Sequence, residues 1–117
     1  ASAREVLGPD KLLCVEQKVV LTTDAEVARH TGRRSLSVYV GLPNYRNNWL
    51  RLGFTEAEID EMADRFVDAV VAWGEPEVVR ERLDAHLEAG ADHVCIQAMV
   101  PGRAFRVDTD ALRALAP

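Results

Sequence analysis

Two primary amides interrupt otherwise apolar runs. Gln17 stands between Glu16 and Lys18 inside the stretch from Leu12 to Leu21, and Gln97 breaks the run from Val94 to Val100. A primary amide both donates and accepts hydrogen bonds, so in a sheltered site it can hold a carbonyl, a hydroxyl or a ring nitrogen. For Gln17 the competing roles are a buried amide satisfied by backbone or by Lys18, or a strand phase that turns Glu16 and Lys18 inward instead. For Gln97 the competing role is a bond to the loop that follows.

The remaining reactive side chains are dispersed. His30 and His86 fall in helix-patterned stretches and His93 opens a strand-like one; no His, Cys or carboxylate grouping has the spacing of a zinc site, so no metal is expected. Glu56, Glu58, Asp60, Glu61 and Asp64 run round the polar part of an amphipathic pattern and read as a solvated face. Gly74-Glu75-Pro76 precedes a helix start that could hold an anion, but Glu75 and Glu77 would repel it, which favours simple capping. Cys14 and Cys95 belong to no CxxC pair and read as reduced core thiols, which suits a cytoplasmic protein. Trp49 and Trp73 read as packing anchors.

Composition bounds the partners. The chain of 117 residues is 48% hydrophobic and 28% charged, as an ordered globular domain is. Its net charge of -5, with no dense Lys/Arg cluster, argues against nucleic acid. The longest apolar run falls far short of the ~20 residues that span a bilayer, so no membrane segment is expected.

Several elements must position these residues. Ala1 to Leu7 reads as the last turns of a helix stopped by Gly8-Pro9, and Leu12–Leu21 as a strand buried on both faces. Thr23 and Glu26 have capping-box spacing, and the helix they open should carry Ala28, Gly32, Leu36, Tyr39 and Val40 until Pro43 breaks it. A short helix from Tyr45 to Gly53 follows, with Trp49 packed inside. Thr55 and Glu58 repeat the capping box ahead of one amphipathic helix through Ile59, Phe66 and Val70, with a possible break near Asp64; residues 69–73 fit either its end or a short strand. A helix from Pro76 to about Ala89, a strand from Asp92 to Met99, a turn at Pro101-Gly102 and a helix capped near Asp108 complete the chain. This alternation predicts an α/β fold with a parallel sheet, and two or three strands cannot close one, so the chain reads as part of a larger sheet.

The series Glu16-Gln17-Lys18-Val19-Val20-Leu21 with Asp24 and Ala28-Arg29 resembles the sixth barrel strand and following helix of luciferase-like oxidoreductases. Leu42-Pro43-Asn44-Tyr45, Asn47-Asn48-Trp49 and Leu52-Gly53-Phe54 resemble the insertion of the actinobacterial branch that uses coenzyme F420. The likeness continues through Val67 to Gly74 and ends on Ala89-Gly90-Ala91-Asp92-His93-Val94. It implies that residues 1–117 are the C-terminal portion, about strands six to eight with their helices, of a single (β/α)8 TIM-type barrel. It further implies hydride transfer between F420, or FMN in sister monooxygenases, and a small organic substrate. Most cofactor contacts would come from earlier strands, so the segment alone should be inactive, its partners being the N-terminal part of the barrel or a second copy. Gln17 would face the barrel lumen, with Glu16 and Lys18 outward, and Gln97 would line the same cavity; no catalytic residue is assigned.

Overall fold

The computed structural model describes residues 2–117. Helix α1 (Ser2–Leu7) ends where Gly8 adopts φ 76°, a left-handed geometry that favours glycine. Arg4 then ties this end to the far side of the chain. Its guanidinium donates to the carbonyls of Gly8, Lys11 and Gly90 and pairs with Asp92, whose carboxylate also accepts from the Leu13 N–H.

Strand β1 (Cys14–Val20) is the centre of the sheet. β2 (Val71–Trp73) and β3 (His93–Val100) flank it in parallel, and β4 (Arg103–Val107) adds to β3 antiparallel, giving the order β2-β1-β3-β4. Successive strands of a barrel lie side by side in chain order; here β1 separates β2 from β3. The pairing lengths give the reason. β2 offers three residues, whereas β1 pairs with β3 from Cys14 to Val19, so β3 finds its longer ladder on β1.

Helices cover both faces, as right-handed crossovers between parallel strands require. On one face α2 (Ala25–Leu36), α3 (Pro43–Arg51), α4 (Glu56–Asp60) and α5 (Asp64–Val70) enclose a core of Leu36, Trp49, Ile59, Phe66 and Val67 against Val20, Val71, Met99 and Ala104. On the other, α6 (Pro76–Glu88) and α7 (Thr109–Leu115) bring Val79, Leu83 and Leu115 against Val19 and Ala72. Val19 and Val20 are both fully buried because adjacent strand residues point to opposite faces and each meets its own core. Gly32 permits the closest approach: a Cβ there would lie 2.9 Å from Val67 Cγ1 and 3.2 Å from Val71 Cγ2.

Several local features differ from the sequence reading. Asp24, not Thr23, caps α2, its carboxylate accepting from the Glu26 and Val27 N–H groups at 3.0 and 3.2 Å. That helix ends at Leu36, and Pro43 opens α3 instead of merely breaking its predecessor. The capping box at Thr55 forms, but the helix it starts closes after one turn. Met62 takes φ 47° there, with Met62 N–H bonded to Ile59 O and Ala63 N–H to Glu58 O, a Schellman closure made without glycine. Residues 71–73 are strand, and β4 is an element the pattern did not reveal. Both cysteines are free and exposed, not core thiols, because the first half of β1 and of β3 is uncovered on one face. Among the described residues no helix is long and apolar enough to cross a membrane.

Candidate functional site

The uncovered face is formed by alternate residues of the two longest strands. The register pairs Cys14 with His93, Glu16 with Cys95 and Lys18 with Gln97, and all six share the face on which Val20 and Met99 are capped by helices further along. A central parallel strand is normally buried on both sides. Here polar side chains occupy the open half.

Lys18 organises that half. Its ammonium donates to Gln97 Oε1 at 2.5 Å and to Glu16 Oε1 at 3.3 Å and sits 4.6 Å from the centroid of the Tyr39 ring. Only 11% of the Lys18 side chain is exposed, against 58% for Glu16. The three donors of the ammonium are thus directed at a carbonyl, a carboxylate and a π face, which together offset its desolvation. A cavity of about 240 Å³ opens beside it, lined by Glu16, Lys18, Tyr39, Tyr45, Asn48 and Trp49. Its wall is aromatic by construction: Tyr39 and Tyr45 have centroids 4.9 Å apart, Tyr45 and Trp49 5.8 Å, and Trp49 is anchored edge-on to Phe66. Helix α3 supplies Tyr45 and Trp49 from one face, since they are four residues apart. Glu16 also lines a second cavity of about 300 Å³ with Cys95, Gln97 and Val107. The Lys18–Gln97 hydrogen bond therefore joins two concavities across the strand pair.

Gln17 lies on the opposite face, so the two amides named from sequence do not meet. Gln17 is 4% exposed. Its Nε2 donates to the carbonyls of Lys18 and Val70, both at 2.9 Å, and its Oε1 lies 2.8 Å from His86 Nε2. Because the amide nitrogen faces two carbonyls, the oxygen faces the imidazole, and His86 donates from Nε2. Burial first, then the charge of Arg82, holds the His86 pKa below its ordinary value. Arg82 in turn donates to the carbonyls of Asp68 and Ala69. With Val71 N–H bonded to Val67 O, each of the last four carbonyls of α5 has a partner. Gln17 and Arg82 act as the cap of that helix. Glu16 and Lys18 therefore point to the open face, and Gln17 packs under α6 as a buried amide.

A second network supports the first. Arg29 binds Asp68 with two parallel bonds of 3.1 and 2.8 Å, and Trp73 Nε1 donates to the same carboxylate at 3.0 Å. The Arg29 bond chiefly, with help from Trp73, lowers the Asp68 pKa against the opposing effect of burial. The carboxylates of α4 and α5 are not merely solvated: Glu56 and Asp60 pair with Arg46, Glu58 with Arg65, and Asp64 with Arg29 and Arg33. His30 and His93 are exposed. Among the described residues no group of three or more His, Cys, Asp or Glu side chains could hold a metal ion.

The open face can accept a planar, carbonyl-bearing or anionic group. Lys18 and the Gln97 amide offer donors, Glu16 a base or acceptor, and Tyr39, Tyr45 and Trp49 an apolar wall. At 240 Å³ the aromatic cavity is smaller than the roughly 300–1,000 Å³ of a complete ligand pocket. The signal for it in the sequence was the Lys18 charge inside an apolar run. The chain matches no protein-family model, no curated protein and no solved structure.

Proposed function

We propose that this chain is the C-terminal portion of a cytoplasmic luciferase-like (β/α)8 oxidoreductase that exchanges hydride between coenzyme F420 and a small organic substrate, with FMN as the alternative cofactor. The likeness of the ordered sequence blocks supports the family. The observation that carries the reading is the open half-face of β1 and β3, a polar surface on strands whose C-terminal halves are largely buried. In a closed barrel this face turns to the lumen, β3 moves to the free edge of β2, and the strand preceding β1 takes the edge that β3 vacates.

On this reading the cofactor supplies the hydride chemistry, and the protein orients its ring and excludes water. The Gln97 amide and the Lys18 ammonium donate to a ring carbonyl or to the substrate. Glu16, beside Lys18, keeps that ammonium placed when no ligand is bound, and the aromatic wall covers one side of the ring. Gln17, on the helix side, belongs to the scaffold.

Fluorescence titration with F420 and with FMN tests this in two polypeptides, the 117-residue chain and one extended upstream toward the ~250 residues of a whole barrel. Saturable binding is expected only in the extended polypeptide, and there Lys18→Ala and Gln97→Ala should lower kcat/KM. An extended polypeptide that binds neither cofactor sinks the proposal. Tight binding by the 117 residues alone would show that the site is already complete.

A further inference from the structure

We propose that the pocket between α2 and β4 binds a small oligophosphate anion. The pocket has a volume of about 420 Å³ and is lined by His30, Arg34, Gly102, Arg103, Ala104, Phe105 and Arg106. Its three arginines are the ones that make no hydrogen bond or ion pair among the described residues. Every other arginine is engaged: Arg4, Arg80 and Arg82 hold backbone carbonyls, Arg51 bonds Asn47 O, and Arg29, Arg33, Arg46, Arg65 and Arg113 pair with carboxylates. In a chain of net charge -5, carboxylates are plentiful enough to have partnered these three as well. None lines the pocket.

The fold concentrates the charge. His30 and Arg34 are four residues apart on α2 and share a face. Arg103 and Arg106 come from β4, an edge strand whose register against β3 shifts at Met99 and Val100. The turn that starts β4 is pinned to α2, because the Thr31 hydroxyl accepts the Gly102 N–H at 2.9 Å while donating to Val27 O at 2.7 Å. Thr31 is fully buried, so the four cationic or polar side chains are carried on two elements held in fixed relation.

Three guanidiniums, each a planar fork of donors, match several phosphate oxygens better than one carboxylate. The cavity lies within the size range of small-molecule pockets and is wider than a single tetrahedral anion requires. Phe105, 68% exposed, gives it one apolar side against which the organic part of a phosphate ester can rest.

Isothermal titration of the chain with inorganic pyrophosphate tests this at about 0.1 M ionic strength, where exposed charges more than ~10 Å apart are largely screened. Saturable one-to-one binding is expected. Arg34→Gln should weaken it on the order of tenfold and the pair Arg103→Gln/Arg106→Gln on the order of a hundredfold. The melting temperature should not change, since these side chains are exposed and make no hydrogen bond or ion pair among the described residues. Arg51→Gln and Arg113→Gln serve as controls and should leave affinity unaltered. No saturable binding, or equal losses in the controls, overturns the proposal. So does a short DNA duplex that displaces pyrophosphate at lower concentration, which would give the pocket to a nucleic acid.

Discussion

His86 Nε2 stands 2.8 Å from Gln17 Oε1 and donates to it across the interface between α6 and β1. The same amide holds Val70 O, so one side chain joins a strand, the end of α5 and the last turn of α6. Replacing it by an apolar residue of similar size leaves two carbonyls and an imidazole N–H without partners.

Gln17→Leu should therefore act on stability. A loss of about 1–3 kcal/mol is expected for stranding buried polar groups, read as a lower midpoint in urea denaturation. Pyrophosphate affinity should not change, because the pocket that binds it lies on other elements. An unchanged midpoint would show that the amide caps nothing.

The His86 pairing also sets a pH dependence. Its folded pKa is lowered, so the folded state favours the neutral ring and the unfolded state binds more protons. The contribution is present above the unfolded value of about 6.5 and is lost as pH falls from there toward the folded value. The urea midpoint should drop between neutral pH and mildly acid pH, and His86→Gln should flatten that drop. Asp68 behaves separately: its lowered pKa places its loss below the ordinary carboxylate value of about 3.9. A profile that His86→Gln leaves as steep would refute the assignment.

Gly32→Ala tests the approach of α2 to α5. Helix propensity alone favours alanine by about 1 kcal/mol, whereas overpacking a filled site costs about 1–3 kcal/mol. Val67 and Val71 are β-branched and fully buried, so they yield poorly, and net destabilisation is expected. The double variant Gly32→Ala/Val67→Ala should show strong positive coupling in a double-mutant cycle; simple additivity would mean that the contact is not tight.

Thr31→Val keeps the shape of the side chain but removes the acceptor for Gly102 N–H. The expected cost is about 1–3 kcal/mol. Amide hydrogen exchange at Gly102 should accelerate well beyond that of its neighbours, and pyrophosphate binding should weaken as the turn loosens. Exchange at Gly102 that matches the wild type would remove the tie.

The open sheet face and the edge strands β2 and β4 predict self-association of the isolated chain, since unpaired strand edges recruit other strands. Light scattering at micromolar concentration should detect oligomers. A monodisperse monomer that melts cooperatively would contradict it.

Much of this architecture was legible in the residues. Mostly apolar, β-branched runs marked β1 and β3, and Gly90 and Asp108 marked helix ends through chemistry that acts locally. What stayed hidden depends on contacts distant in sequence. Strand β4 alternates weakly, with Ala104 its one buried residue, so only pairing with β3 defines it. The stop at Met62 lacks a glycine, and Arg33, from α2, helps hold it by donating to Met62 O. The phase of Gln17 was open for the same reason. Either face of a strand can bury an amide, and the choice rests with Arg82 and His86, more than sixty residues away.

The cap on α5 has a kinetic meaning as well. Helix ends usually close with residues next to them in the chain, but this one waits for β1 and α6 to arrive from either side. Loop closure must precede the reward of such distant contacts. The carbonyls of Asp68, Ala69 and Val70 should thus be bound late in folding, with substitutions at Gln17 and Arg82 speeding unfolding more than they slow refolding.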